Sequence, residues 1–349
     1  MKSAFQDIVI TGLAAITPAG VGLEPLRETL AQGVCRLTPV PEEVVGEAGH
    51  LWGKADGFRA ADFIPPLKAR KFDRASLFAV VAVGQALQDA GLDPSVLDRT
   101  RIGIVLGCGF GGVANSEEFL RGWFTKGSDG LVPMLFPNIV PNAAASNASI
   151  EHRLKGPNVT TIQRFCSAES AFLMAKRFLE EDRADVMLTG GVDELFPAMI
   201  PGLKAMGQLR SFGEGLGEGS GILVLERGGH ARRRKARILA AVGEVRSVGR
   251  LSPAAREQGL DRLLPSPYCA DLVSLSGTAS LEKLLLERLP AIPRLDLAPL
   301  LGRSLAMGGV AMAALVSMLK VGEVGLQLAA SPEGPYYAIE LHRGDSVQS

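Results

Sequence analysis

Gly156-Pro157-Asn158-Val159-Thr160-Thr161-Ile162-Gln163-Arg164-Phe165-Cys166-Ser167-Ala168-Glu169-Ser170 reads as a strand, a sharp turn and then a helix. Such a turn displays a side chain at a helix N-terminus, where free backbone N–H groups and the helix dipole stabilise an anion. It is a place for a nucleophile. Here the tip carries Phe165, whose ring cannot attack anything. Ala168, Ala171, Phe172, Met174, Ala175 and Phe178 follow at helical spacing and predict a helix over 167–181.

Working outward, apolar strands alternate with amphipathic helices, so the fold class is α/β with parallel-rich sheets covered by helices. The pattern predicts a strand over 102–106 and helices over 75–90, 281–289 and 309–319. A last strand is expected over 337–343. A second half begins near residue 236, which divides the chain into 1–235 and 236–349. The letters themselves show no internal repeat.

The 349 residues allow a large core, and net charge is zero, so nothing electrostatic points to nucleic acid. Apolar residues make up 47%, yet no uninterrupted apolar run of about 18 residues predicts a membrane span. The N-terminus passes from Met1-Lys2 into a strand after Asp7, without a signal-peptide pattern. Cys35, Cys108, Cys166 and Cys269 form no CxxC pair or Cys/His ligand spacing, so no metal or other cofactor is expected. Scattered cysteines suit a reducing cytoplasm. The densest basic run, 227–237, reads as a solvated helix end or a carrier-protein contact.

Further stretches carry a resemblance. Ile8-Val9-Ile10-Thr11-Gly12-Leu13 with Thr17-Pro18-Ala19-Gly20 comes first, then Phe72-Asp73-Arg74 and Gly91-Leu92-Asp93. Gly107-Cys108-Gly109-Phe110-Gly111-Gly112, Pro141-Asn142-Ala143-Ala144-Ala145 and Leu154-Lys155-Gly156-Pro157-Asn158 follow. Ala184-Asp185-Val186-Met187-Leu188-Thr189-Gly190-Gly191 and Gly217-Glu218-Gly219-Ser220-Gly221 close the first half. In order and spacing these resemble the β-ketoacyl-ACP synthases of the thiolase superfamily, from Asp7 to about Arg227 and more faintly beyond. The resemblance implies a thiolase-like fold of two pseudo-repeated halves in αβαβα layers.

It also implies what is missing. The family's nucleophilic Cys falls on Phe165, whether counted from Asn158 or from Gly190, and Cys166 is one residue late. The first catalytic His falls on Ser276 within Ser274-Leu275-Ser276-Gly277-Thr278. The second His precedes a small-residue helix start; aligning on Gly308 places it near Gly302, and the family's Lys falls near Leu297. His50, His152, His230 and His342 all lie elsewhere in the sequence. Claisen condensation needs a thiolate to carry the acyl chain and donors for the charge that develops as carbon dioxide leaves. Losses also fall on loops that line the family's site. Arg210-Ser211-Phe212 runs almost straight into Gly213-Glu214-Gly215-Leu216-Gly217, and Pro332-Glu333-Gly334-Pro335-Tyr336-Tyr337 replaces a glycine-rich loop.

By resemblance the chain is a catalytically degenerate, chain-length-factor-like subunit. It would form a heterodimer with a catalytic ketosynthase in fatty-acid, polyketide or aryl-polyene biosynthesis and meet the acyl carrier protein through the complex. Phe110, Met134, Leu135, Phe136, Asn142 and Phe165 are the candidates for the acyl tunnel or the interface; each also reads as ordinary packing. Phe165 would in addition fill the void left by an acyl-cysteine. Two other readings stay open: an active condensing enzyme with a displaced Cys166 nucleophile, and an acyl-binding homodimer.

Overall fold

The computed structural model describes residues 7–344 except Glu47, Glu214, Pro267, Pro290 and Ala291. The outer ends of the expected halves 1–235 and 236–349, and Glu214 of the trimmed loop, therefore lie outside the described residues.

The first half contributes β1 (Ile8–Thr17), β2 (Ile102–Cys108), β3 (Asn158–Thr161), β4 (Val186–Asp193) and β5 (Gly219–Arg227). The second contributes β6 (Ala240–Val248), β7 (Leu272–Gly277), β8 (Arg294–Leu295), β9 (Val324–Ala330) and β10 (Tyr336–His342). They form one continuous sheet in the order β8-β7-β9-β10-β6-β1-β5-β4-β2-β3, with a short Gly20–Val21 arm on β1. The halves meet where β1 pairs antiparallel with β6, Val9 opposite Ala241 and Ile10 opposite Ala240.

The repeat absent from the letters is present in the topology. In each half the third and second strands pair in parallel, the second and fourth pair in parallel, and the fifth joins antiparallel to both the fourth and the first. Every residue of β1, β2 and β4 is buried. Strands covered on both faces have no polar side to show, so they read as apolar runs without alternation.

The helices that matter for the site are α1 (Arg74–Asp89), α2 (Val113–Lys126), α3 (Ala143–Glu151), α4 (Ser167–Glu180) and α5 (Met199–Ala205) in the first half. The second half adds α6 (Arg256–Leu263), α7 (Ala279–Leu286), α8 (Ala298–Leu301) and α9 (Gly308–Met318). α1 packs on the outer face of β1, β5 and β4; α6 and α7 cover the outer face of the second half. α4 and α9 lie between the two halves of the sheet, α9 touching β4 and β5 on one side and β7 and β9 on the other. This gives the five layers αβαβα. α4 and α9 are topological equivalents, each following an edge strand and preceding the fourth strand of its half.

Most expected boundaries hold to within one or two residues. Helix 75–90 is Arg74–Asp89, because the Asp73 carboxylate accepts from the Ser76 N–H at 3.1 Å and caps it there. Strand 102–106 continues to Cys108. Helix 281–289 is Ala279–Leu286, started early by the Thr278 hydroxyl, which accepts from Leu281 N–H.

Candidate functional site

The strand-turn-helix is built as the sequence predicts. β3 ends at Thr161, a single 3₁₀ turn spans Arg164–Cys166, and α4 starts at Ser167. Side chains lock the turn. Thr161 Oγ1 donates to Ser167 O at 2.7 Å, Ser167 Oγ donates to Arg164 O at 2.7 Å, and Gln163 N–H donates to Ser167 Oγ at 3.0 Å. Arg164 has a left-handed φ of 52°, costly for a residue with a β-carbon. Behind the turn, a Cβ on Gly107 of β2 would lie 2.3 Å from the Ser167 carbonyl carbon, so only glycine lets the strand approach this closely.

Phe165 at the tip is 1% exposed. Its ring centroid is 5.0 Å from that of Phe212, which lies 6.0 Å from that of Phe110. Trp52, Leu195, Phe196, Met199, Ile200 and Leu305 complete the apolar cluster. The tip therefore points into packed hydrocarbon.

Cys166 points the other way, packing with Ala329 and Tyr337 of the second half. Its thiol donates to Pro335 O at 3.2 Å, and burial pushes its pKa well up, with Glu169 and Glu333 adding to the shift. A thiol held neutral is a poor nucleophile.

Ser276, on β7, is buried in a polar network that sequence reasoning missed. Its hydroxyl donates to Glu169 Oε1 at 2.5 Å, and Gln327 Nε2 reaches the same oxygen at 2.8 Å and Ser276 Oγ at 3.0 Å. Ser274 Oγ donates to Gln327 Oε1. Glu169 is wholly buried and its other oxygen, Oε2, has no hydrogen-bond partner among the described residues. Burial raises its pKa to about 7, against the opposing hydrogen bonds from Ser276 and Gln327. The signal was available: Glu169 lies three residues before Phe172, on the apolar side of α4.

Leu297 is the residue preceding α8, and Gly302 ends that helix with φ 82°. The small-residue helix start comes six residues after Gly302, at Gly308. Between them Arg303 donates to Gly277 O at 2.8 Å and pairs with the Glu282 carboxylate. Asp193, wholly buried with a pKa raised by burial to about 6, ties this segment to the glycine-rich loop: Oδ1 accepts from Gly109 and Phe110 N–H, Oδ2 from Ala306 N–H.

His152 Nε2 meets Val80 O, His230 pairs with Glu226, and His342 with Glu340, all away from the turn. His50 lines, with Phe212, Lys204 and Arg210, an open groove of about 740 Å³. In the basic run, Arg227 pairs with Asp182 and Asp185, Arg234 with Glu226, and Arg237 with Asp89. Met134 and Phe136, on the 3₁₀ segment Pro133–Asn138, are 65% and 61% exposed. Leu135 is half-buried and Asn142 is exposed just before α3. These residues and the outermost strand, β3, belong to the same connection. Among the described residues no cluster of His, Cys, Asp or Glu could hold a metal ion, and no helix is long and apolar enough to cross a membrane.

Five layers around two central helices, with a locked turn at the head of one, define a thiolase-like fold. Solved structures share it. A chain of the solved complex of a type II PKS acyl-carrier protein with its ketosynthase superposes with a TM-score of 0.81 at 21% identity, covering 97% of this chain and 99% of that one. The ishigamide ketosynthase/chain length factor gives 0.81 at 22%, over 97% and 100%. A β-ketoacyl synthase from Burkholderia phymatum STM815 gives 0.83 at 20%, over 97% and 100%.

The model of the β-ketoacyl synthase N-terminal domain matches residues 5–231, and the chain belongs to that family. It is 31% identical over 254 residues to 3-oxoacyl-[acyl-carrier-protein] synthase 2 of Staphylococcus aureus (strain COL), covering 68% of this chain and 61% of the relative. The enzyme of the same name from Synechocystis sp. is 30% identical over 251 residues, 67% of this chain and 60% of the relative. The match thus spans about three-fifths of the length of these curated relatives.

Proposed function

We propose that this chain is a non-catalytic subunit of chain-length-factor type, which pairs with an active ketosynthase in fatty-acid, polyketide or aryl-polyene biosynthesis and shapes its acyl tunnel. The observation that carries the reading is Phe165, buried in an aromatic cluster at the tip of a turn whose backbone and hydrogen bonds are intact. Keeping a strained turn around a phenyl ring is sensible where the scaffold is still useful and the chemistry is not.

The degenerate positions are Phe165 for the nucleophile and Ser276 for the first imidazole. For the second imidazole we favour Gly308 over Gly302, because Gly308 abuts the Glu169 carboxyl that Ser276 also holds. At the same five-residue spacing the lysine position moves from Leu297 to Arg303. Cys166 is a weak substitute: its thiol is buried, neutral and turned toward Pro335.

β3 leaves one row of backbone hydrogen-bonding groups free, and exposed Met134 and Phe136 lie on the connection that leads to it. An edge strand flanked by exposed apolar residues suits pairing with a second thiolase-fold chain. Met134, Leu135, Phe136 and Asn142 would meet the partner, and the acyl carrier protein would reach the complex through the active subunit. A neighbour described as a ketosynthase/chain length factor supports this arrangement. The working units are the halves 1–235 and 236–349, and the compartment is the cytoplasm.

The test is co-expression with the ketosynthase encoded nearest to this chain, followed by co-purification and size analysis. A one-to-one heterodimer whose partner is inactive alone is the expected result. A homodimer that ignores the synthase would overturn the proposal.

A further inference from the structure

The heads of the two central helices, α4 and α9, meet inside the molecule. At α9 the two first residues are Gly308 and Gly309, and neither needs the left-handed backbone that usually calls for glycine. Gly309 is glycine because of backbone: a Cβ there would lie 2.3 Å from Gly191 N and 2.5 Å from Gly221 O, in β4 and β5. Gly308 is different. The three atoms nearest to a Cβ at 308 all belong to one side chain: Glu169 Oε1 at 2.0 Å, Cδ at 2.5 Å and Oε2 at 2.6 Å. Swinging the carboxyl aside would break the hydrogen bonds that Ser276 and Gln327 donate to Oε1 from β7 and β9, inside a buried site.

We infer that Glu169 and Gly308 are a mutually exclusive pair, in which the Glu169 carboxyl occupies the space of any side chain at position 308 and so bars an imidazole from the head of α9. The inference deepens the proposed function and rests on it where position 308 is taken as the second imidazole's place. The interlock itself rests on the contacts alone. It makes the inactive centre a packed structural joint: Glu169 from the first half, Ser276 and Gln327 from the second, and Gly308 giving way to the carboxyl. Neighbouring ionisable groups are Cys166 and Tyr337, both of which burial holds in the neutral form. A carboxyl with a raised pKa fits this uncharged joint. Restoring the nucleophile alone would leave the joint closed.

The test is a double-mutant cycle read as the thermal or urea midpoint of the whole chain. Gly308→Ala is expected to lower the midpoint by several degrees in the native background and in Glu169→Gln, which keeps the same bulk. It is expected to cost nothing further in Glu169→Ala or Glu169→Ser, where the carboxyl is gone. Gly308→His should likewise yield folded chain only together with Glu169→Ser. If Gly308→Ala fails to fold alone, recovery of folded chain in Glu169→Ser/Gly308→Ala carries the same information. An equal loss in all backgrounds would overturn the interlock. The cycle needs no partner, so it can fail while the heterodimer forms, or hold while the heterodimer does not.

Discussion

α4 and α9 occupy equivalent places in the two halves, yet their heads are opposites. α4 opens on Phe165 and Cys166 and carries Glu169 in its first turn; α9 opens on two glycines and is buried along Gly308–Val316. One head supplies bulk and the other supplies room. The comparison teaches that a duplicated architecture need not keep duplicate surfaces. The two helices are complementary where they meet: the Glu169 carboxyl lies where a side chain at position 308 would start.

The strongest way to break this comparison is to empty the bulky side. Phe165→Ala removes a buried ring from a close-packed cluster and is expected to cost about 3–5 kcal/mol, measured by urea unfolding. A loss near zero would mean that the ring is not a packing element. Next in size is a pH effect. Folded Glu169 keeps its proton to about pH 7, whereas unfolded it loses it near 4.5, so the unfolded state binds fewer protons in between. Stability is expected to fall as pH rises from about 5 to 8, by up to about 3 kcal/mol from this group. Asp193 and Glu194, raised to about 6 and about 8, act in the same direction. Glu169→Gln should remove only its own share, leaving a shallower slope; an unchanged slope would place the titration elsewhere.

The exposed apolar residues give a third test. Met134→Asp with Phe136→Asp should lower the midpoint of the isolated chain only slightly, since both side chains are mostly exposed and Phe136 makes a tilted ring contact with Phe119, yet weaken pairing with the synthase at least about tenfold by calorimetry. Equal affinity would move the interface away from this segment. The smallest effect expected is none. Phe165→Cys should produce no labelled condensation product from acyl- and malonyl-carrier protein, and restored activity would show that Ser276 and Gly308 do not stand at the imidazole positions.

Strands, the turn and most helix ends were legible because each depends on local pattern: an apolar run, a 3.6-residue spacing, a capping Asp73. What depends on distant contact was not. The repeat is a matter of strand pairing and leaves no trace in the letters. Leu297 and Gly302 are placed by counting back from Gly308, a count that crosses the end of α8, which local pattern does not mark. Glu169 resembled an ordinary acidic residue in a first turn, favourable to the helix dipole. Only its partners, more than 100 residues away on β7 and β9, give it another meaning.

β1 has a consequence for the order of events in biosynthesis. Its ten buried residues form the seam of the sheet, with β5 on one side and β6 on the other. Yet β1 is synthesised well before its sheet neighbours, which begin only at Gly219 and Ala240. At about 5–20 residues per second, this apolar strand waits about 10–45 s for them, with the Gly20–Val21 arm as its strand partner and α1 able to cover only its outer face. A nascent chain of this design leaves apolar surface open during translation, and its yield in a foreign host is expected to rise with chaperone supply.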